Sequence, residues 1–285
     1  MRDADKRMVR MAAIALSLGR RRLAPYSSVK SRRDFTQPQL MACLVLKVAM
    51  KTDYRGLVEQ LELCPALRRA LGLQKVPHCT TLQKFMAREG VEPVMHAMLG
   101  ELLKDLGVSP DSPVELAADS TGLQSGVASE HYRTRRGTSG KARRYVKVSV
   151  MVVCGLLVPA ALVVDMGPSS GMRQMPALME QAGARARPRL LLADRGYDAE
   201  WVHRACRERW DAGCLIPVRR EAGKAVRSRY RAAQGALPAA YGRRWHAEAY
   251  FSGLKRTTLA TLAGRSVRTM ITEATLKVLT YAIHR

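Results

Sequence analysis

Residues Leu190–Asp198 have the sequence LLLADRGYD, a short apolar run that ends at an aspartate and a turn-forming Arg-Gly pair. A second run of the same kind, Val114–Ala118, leads into Asp119 in the sequence VELAADSTG. Apolar runs of about four to eight residues bounded by turn residues are typical of buried strands. We therefore expect two buried strands that each end at a carboxylate, Asp119 in one case and Asp194 in the other.

The longest apolar stretch, Val148–Val164, has two interpretations. It is apolar enough to suggest a membrane helix, but it is rich in valine and is interrupted by Gly155 and Pro159. Two buried strands joined by a tight turn account for it better. Strands then alternate with helices along the chain, which predicts an α/β fold with helices packed against the sheet. The five predicted strands are Val114–Ala118, Val146–Cys154, Leu156–Asp165, Arg189–Ala193 and Cys214–Val218.

The composition predicts a polyanionic partner. The 285 residues include 48 Lys and Arg against 24 Asp and Glu, which gives a formal net charge of +24. Most of these bases are arginine, whose planar guanidinium contacts two phosphate oxygens at once. A basic excess of this size along the whole chain favours a nucleic-acid partner, while a purely solubilising surface is the alternative.

The six cysteines form no C-x-x-C pair and mostly stand among apolar residues. We expect reduced, buried thiols of a cytoplasmic protein and neither a zinc site nor a disulfide framework. The charged N-terminus is followed by an apolar stretch without a small-residue cleavage site, so no signal peptide is expected. No membrane association is predicted.

The chain is predicted to have three parts. Residues 1–34 form a basic N-terminal arm, either a frayed helix on DNA or a solvated tail. Residues 35–110 form a small all-helical region, with capping-box pairs before two of its helices, Thr36 with Gln39 and Thr80 with Gln83. This region is either a helix-turn-helix DNA reader or a supporting bundle. Residues 111–285 form the third part, with a short insertion at about 219–240; within it, Pro176 is expected in the first turn of a helix and Asp198 at an N-cap.

The C-terminal part carries Tyr241, Arg244, Glu248 and Lys255 at offsets of three, seven and fourteen residues from the tyrosine. On a continuous helix from about Ala239, all four would lie within roughly 60° of one another. One acid would then lie among three side chains that can hold phosphate. Alternatively, Glu248 is a solvated residue paired with Arg244.

Three carboxylates could act together. Aspartates at the ends of neighbouring strands can converge, and a helix beside those ends can add Glu248. Hard Mg²⁺ ions prefer such oxygen ligands, and two ions stabilise both the attacking and the leaving oxygen of a phosphodiester displacement. Asp119 and Asp194 could instead be turn residues, since both are followed by turn-forming sequences.

Together these motifs resemble the DDE transposases of bacterial and archaeal insertion sequences. In that family, a first Asp in D-S-T-G and a second in D-x-G-Y-D precede a helical signature of Tyr, two residues, Arg, three residues, Glu, six residues and Lys. The matching segments here are DSTG, DRGYD and YGRRWHAEAYFSGLK, and VPHCTTLQKF resembles the motif that precedes the catalytic domain. The resemblance covers about residues 75–285 and implies an RNase H-like catalytic domain with a mixed five-stranded sheet flanked by helices.

The resemblance also implies residue roles. Asp119, Asp194 and Glu248 would hold two Mg²⁺ ions, with Mn²⁺ as a substitute. Arg244 and Lys255 would contact DNA phosphates, and Tyr241 would position the strand. Further DNA-binding residues are predicted in the basic stretch after the first strand: Arg133, Arg135, Arg136, Arg143 and Arg144.

The implied reaction is cleavage at the ends of an insertion sequence, followed by attack of the freed 3′-OH on target DNA. The expected partners are DNA carrying the terminal inverted repeats, target DNA and a second copy of the chain, in the nucleoid of a prokaryotic cytoplasm. The 54-residue interval between Asp194 and Glu248 leaves little room for the large insertion that processes hairpin DNA in some members. A stand-alone metal-dependent nuclease and a non-catalytic DNA-binding derivative are the alternatives.

Overall fold

The chain forms two compact units. The structure, a computed structural model, describes residues 6–125, 145–220 and 225–285. Unit 1 comprises Met1–Leu102, Gln124–Arg143 and Leu254–Arg285. Unit 2 comprises Leu103–Leu123 and Arg144–Gly253. The domain boundaries expected from the sequence remain predictions, and the basic arm expected at residues 1–34 contains a well-formed helix.

A mixed β-sheet confirms the predicted fold class. The strand order is β3-β2-β1-β4-β5, with β2 antiparallel to β3 and with β4 parallel to both β1 and β5. A sixth, two-residue strand pairs in parallel with the last two residues of β1 and was not predicted. The strands are β1 Pro113–Ser125, β2 Tyr145–Val153, β3 Val158–Met166, β4 Arg187–Ala193, β5 Gly213–Leu215 and β6 Thr261–Leu262.

The valine-rich stretch forms the hairpin of β2 and β3, as predicted. Its apolar residues are buried along β2 and the first half of β3, which suits β-branched side chains on a pleated surface. Gly155 has a φ of +88° in the turn, a backbone conformation that glycine adopts without steric cost. No helix in the described part of the chain is long and apolar enough to cross a membrane.

Among the described residues, four α-helices belong wholly or largely to unit 2. The first packs against β2 and β3 and buries Met175, Leu178 and Met179. It begins at Gly171, so the prediction that Pro176 lies in its first turn was wrong. The buried apolar face offsets the hydrogen bond that an internal proline removes. The helices are α7 Gly171–Arg185, α8 Glu200–Glu208, α9 Arg229–Ala232 and α10 Trp245–Thr258.

Unit 1 is mainly helical, and its central helix α2 is buried on nearly all sides. The predicted capping box of Thr36 and Gln39 begins this helix. The second predicted capping pair was wrong, because His78 caps α5 and its side chain accepts from the Thr80 amide. The helices are α1 Arg7–Arg22, α2 Gln37–Ala49, α3 Tyr54–Leu63, α4 Pro65–Leu71, α5 Cys79–Met86, α6 Val91–Asp105 and α11 Val267–His284.

Candidate active site

The register of two parallel strands places the two predicted aspartates side by side. Ala118 of β1 is paired with Ala193 of β4, so Asp119 and Asp194 follow at matching positions on neighbouring strands. Asp194 directly follows the end of β4, as predicted. The expectation that Asp119 also ends its strand was wrong, because β1 continues to Ser125. The strand thus extends beyond the apolar run that the sequence shows, and its last two residues pair with β6.

A small apolar cluster is formed by residues that precede the three carboxylate residues in the sequence. Ala117, Leu192 and Ala247 are fully buried and pack together. Ala117 and Leu192 each lie two residues before an aspartate, and Ala247 immediately precedes Glu248. The start of α10 therefore packs directly against β1 and β4. The alanines permit this close approach because their side chains are small.

Asp194 is held by the turn that follows it. Its Oδ1 accepts a hydrogen bond of 2.8 Å from the Gly196 amide and caps the short 3₁₀ turn Arg195–Tyr197. A Cβ atom at position 196 would lie 2.9 Å from the same Oδ1. The glycine of the DRGYD motif is thus required for the carboxylate to approach the backbone. The turn interpretation of Asp194 is correct and is compatible with a ligand role for its other oxygen.

Asp119 is in an environment that disfavours its charge. Its Oδ1 accepts a hydrogen bond of 2.7 Å from the Ser120 amide. Burial raises the pKa of Asp119, and the negative charges of Asp194 and Glu248 raise it further, against opposing effects of Ser120 and Arg244. Mutual repulsion of this kind is typical of carboxylate sites that bind cations or protons.

Lys147 was missed as a site residue by the sequence reasoning. It belongs to β2, its side chain is buried, and its Nζ donates a hydrogen bond of 2.6 Å to the Ser169 carbonyl. Burial lowers the pKa of Lys147, whereas the charges of Asp119 and Asp194 raise it. The lysine lies within an apolar run of β2, and a charged residue in such a run was the available signal.

Glu248 is paired with Arg244, as the alternative interpretation proposed. The Arg244 Nη2 donates to the Glu248 Oε1, and the glutamate side chain is 56% exposed. Tyr241 donates its hydroxyl to the Ala193 carbonyl at 3.3 Å. Lys255 lies about two helical turns beyond Glu248 on α10 and belongs to unit 1.

The continuous helix predicted from Ala239 was wrong. Tyr241 and Arg244 lie in the 3₁₀ helix Ala239–Arg244, and α10 begins only at Trp245. Of the four residues Tyr241, Arg244, Glu248 and Lys255, only Glu248 and Lys255 therefore lie on one α-helix. The predicted break near Gly264 is present, because β6 and a loop separate α10 from α11.

The remaining predicted residues are Asp198 and five arginines. Asp198 is not an N-cap, because Ala199 occupies that position for α8. The Asp198 carboxylate instead accepts from Arg231, from the Arg219 amide and from His203 in a buried network. Five predicted DNA-binding residues lie outside the described residues: Arg133, Arg135, Arg136, Arg143 and Arg144.

The carboxylates do not converge as ligands in this conformation. Across residues 6–125, 145–220 and 225–285, no group of three His, Cys, Asp or Glu is arranged to hold a metal ion. Asp119, Asp194 and Glu248 nevertheless share an electrostatic environment.

The mixed sheet, its flanking helices and the acid positions define an RNase H-like fold of the DDE transposase class. The sequence model of the transposase DDE domain matches residues 110–283, which is more than half of the chain. The chain therefore belongs to the transposase DDE domain family. No curated protein matches the sequence.

Proposed function

We propose that the protein is a transposase that cleaves DNA at the ends of an insertion sequence and joins the freed 3′-OH to target DNA in a Mg²⁺-dependent reaction. One observation carries the proposal. The β1–β4 register sets Asp119 beside Asp194, and Ala247 packs the start of α10 against the same two strands. Ala247 immediately precedes Glu248, and its packing supports the proposal that Glu248 acts together with the two aspartates.

The donor set suits divalent metal ions, and family membership supports their use. Three carboxylates supply the hard oxygen ligands that Mg²⁺ prefers, and Mn²⁺ accepts the same ligands. A bound cation would also relieve the repulsion that raises the pKa of Asp119. Asp119, Asp194 and Glu248 would hold the ions. When bound, two such ions stabilise the attacking and leaving oxygens of a phosphodiester displacement.

The remaining signature residues are proposed to bind and orient DNA. Arg244 uses one nitrogen for Glu248, and its guanidinium has further donors for a phosphate. Tyr241 fixes the 3₁₀ turn on the strand end that carries Asp194. Lys255 is proposed to contact a phosphate further along the strand. The five arginines between residues 133 and 144 are proposed to extend this contact.

The test is nicking of duplex DNA that carries the terminal inverted repeats of the element that encodes the protein. We expect cleavage and strand transfer in Mg²⁺, and loss of both in Asp119→Asn, Asp194→Asn and Glu248→Gln. Asp211→Asn is the matched control, because Asp211 has a φ of +50° that asparagine tolerates and is exposed. Full activity in each of the three variants would disprove the assignment.

The products distinguish the alternatives. A 3′ end joined to a second duplex indicates transposition, whereas cleavage alone would indicate a nuclease. Joining two ends to one target also requires two active sites, so we propose that a dimer assembles on DNA. Affinity for DNA should fall steeply between about 50 and 200 mM salt, because each phosphate contact releases counterions.

A further inference from the structure

Unit 1 contains a cavity of about 420 Å³ that the proposed chemistry does not use. The C-terminal end of α2 and the start of α3 form one wall, and the segment from β6 to α11 forms the other. A second cavity of about 620 Å³ adjoins it. Four polar or charged side chains line both cavities: Lys47, Tyr54, Arg265 and Glu273. We call the two adjoining spaces the basic groove.

The acidic residues of the basic groove are already engaged. Asp53 caps α3, and its Oδ1 accepts a hydrogen bond of 2.7 Å from the Gly56 amide. The Glu273 Oε2 accepts bonds of 2.9 Å from the amides of both Ala263 and Gly264. Both carboxylates thus satisfy backbone donors. Their role in the described structure is to hold the walls of the groove.

Four cationic side chains line the first cavity: Lys47, Lys51, Arg265 and Lys277. Of these, Lys277 is bonded to backbone groups, as the two carboxylates are. The Lys277 side chain is buried, and its ammonium donates to three backbone carbonyls at and just after the C-terminal end of α10. These acceptors are Thr258 at 2.7 Å, Leu259 at 3.0 Å and Thr261 at 2.8 Å. All three ammonium protons are therefore used. Lys277 shapes the groove and is not free to bind a ligand.

The other three cations have unused donors. Within the described ranges, the charged groups of Lys47, Lys51 and Arg265 make no hydrogen bond or ion pair. The Lys47 Nζ lies 4.7 Å from the centroid of the Tyr54 ring, and this side chain is half-buried. Burial lowers the pKa of Lys47, although Glu273 and Asp53 act against this effect. A partly desolvated ammonium without a hydrogen-bond acceptor is stabilised by an anion.

Tyr54 adds a neutral donor beside these cations. Burial and the charge of Glu273 raise the pKa of its hydroxyl to about 12, so the group stays protonated at physiological pH. The N-terminus of α11 begins in the second cavity, where Ser266 and Thr269 form a capping box. Its helix dipole also favours negative charge in the groove.

We propose that the basic groove binds backbone phosphates of DNA, with Lys47, Lys51, Arg265 and the Tyr54 hydroxyl as donors. The groove consists of two adjoining spaces with shared cationic walls, which suits successive phosphates of a polymer better than a single small anion. The net charge of +24 favours a polyanion. This inference rests on DNA as the partner in the proposed function, but it does not require that the protein cleaves DNA.

The test measures DNA affinity with the full-length protein. Binding to a labelled random-sequence duplex of about 30 base pairs is followed by fluorescence anisotropy between about 50 and 200 mM salt. Lys51→Gln and Arg265→Gln each remove one phosphate contact. Each variant should weaken binding about eightfold at 0.1 M salt and reduce the slope of log affinity against log salt by about 0.9.

Lys75→Gln is the matched control. Lys75 belongs to the same unit, and its exposed ammonium is paired with Asp34 at 2.7 Å. This substitution removes the same charge outside the groove, so it should leave the salt slope unchanged. Lys47→Gln is a third groove variant, and thermal unfolding checks that it folds. Groove variants that change affinity and slope no more than Lys75→Gln would overturn the proposal.

Inorganic phosphate distinguishes a small-anion site from a DNA site. If millimolar phosphate stabilises the wild-type protein but not the double variant Lys51→Gln/Arg265→Gln, while DNA affinity is equal in both, the groove binds free anions and the proposal is wrong. If the protein fails to nick DNA but the groove variants still lose affinity and slope, the proposed transposition chemistry fails and the groove assignment stands.

Discussion

Tyr241 donates its hydroxyl hydrogen to the carbonyl of Ala193, the residue immediately before Asp194, with 3.3 Å between the two oxygens. This bond connects the 3₁₀ turn that precedes α10 to the end of β4. Tyr241 therefore contacts the protein backbone next to Asp194. The bond links the segment before α10, the helix that carries Glu248, to β4, the strand that precedes Asp194.

We expect Tyr241→Phe to lower the free energy of unfolding by about 0.5–1 kcal/mol, because the bond is long and partly exposed to water. DNA cleavage should fall more than DNA affinity, since the strand end that carries Asp194 is loosened. Urea unfolding and a nicking assay measure the two effects. Tyr26→Phe is the control, because its hydroxyl makes no hydrogen bond among the described residues. Equal stability losses in both variants would contradict this role.

Arg244 neutralises Glu248 in the conformation described. In Arg244→Gln, the glutamate is free to turn toward the aspartates, so Mn²⁺ should bind more tightly in the absence of DNA. Cleavage should nevertheless fall, because a phosphate donor is lost. The stability change should be within about 1 kcal/mol, since the Glu248 side chain is 56% exposed and water screens the pair. Calorimetric titration with Mn²⁺ measures the affinity.

Arg256→Gln is the control for this variant, because it removes a charge from the same helix at a distance from Glu248 in sequence. Its metal affinity should equal that of the wild-type protein. Weaker Mn²⁺ binding in Arg244→Gln than in Arg256→Gln would show that Arg244 does not compete with metal for Glu248.

Much of the site could be predicted because its signals are local. The run LLLADRGYD contains its own strand, turn glycine and carboxylate, and the structure places Asp194 where the sequence predicts it. The hairpin of β2 and β3 was also predictable, since valine content and Gly155 are properties of the stretch itself. In both cases the conformation is decided within about ten residues.

The differences arise where tertiary pairing decides the outcome. Asp119 lies inside β1, which continues to Ser125 beside β2 and whose last two residues pair with β6, more than 130 residues later. The helix predicted from Ala239 starts with 3₁₀ geometry, where Gly242 has a low helix propensity and Tyr241 is bonded to β4. Neither the pairing partner nor the bond is visible in the local sequence.

Asp198, the second aspartate of DRGYD, directly follows the turn that holds Asp194. Its fully buried carboxylate accepts from two Arg231 nitrogens at 2.7–3.1 Å and from His203 at 3.1 Å. Asp198→Ala would remove the carboxylate acceptor of the buried His203 and would leave the Arg231 guanidinium with only the Arg219 carbonyl and the Ser228 hydroxyl. We expect the free energy of unfolding to fall by about 3 kcal/mol or more, as measured by urea unfolding.

The exposed ion pair of Lys75 and Asp34 is the control against which the stability loss of Asp198→Ala is compared. Lys75→Ala should change the free energy of unfolding by less than about 1 kcal/mol, because water screens and replaces the interaction. If Asp198→Ala cost no more than Lys75→Ala, the buried network would contribute little.

The raised pKa of Asp119 predicts that this carboxylate lowers stability at neutral pH. Burial is the main cause, and the charges of Asp194 and Glu248 add to it. Because the pKa is higher in the folded chain than in the unfolded chain, the folded state binds more protons between the two values. The contribution of Asp119 to the free energy of unfolding therefore falls as pH rises above the ordinary carboxyl value of 3.8.

Asp119→Asn keeps the shape of the side chain and removes the charge, so it should raise the free energy of unfolding at pH 7 while it abolishes cleavage. The gain should shrink as pH falls toward 3.8, because the wild-type carboxyl is then protonated as well. Urea unfolding at pH 7 and pH 4.5 measures both values, with Asp211→Asn as an exposed control that should show no gain. Added Mg²⁺ should stabilise the wild-type protein and not Asp119→Asn, since ligand binding to the folded state alone raises its stability. If Asp119→Asn were less stable than wild type at pH 7, or if its stability relative to wild type increased as pH falls, burial and repulsion would not disfavour the charge of Asp119.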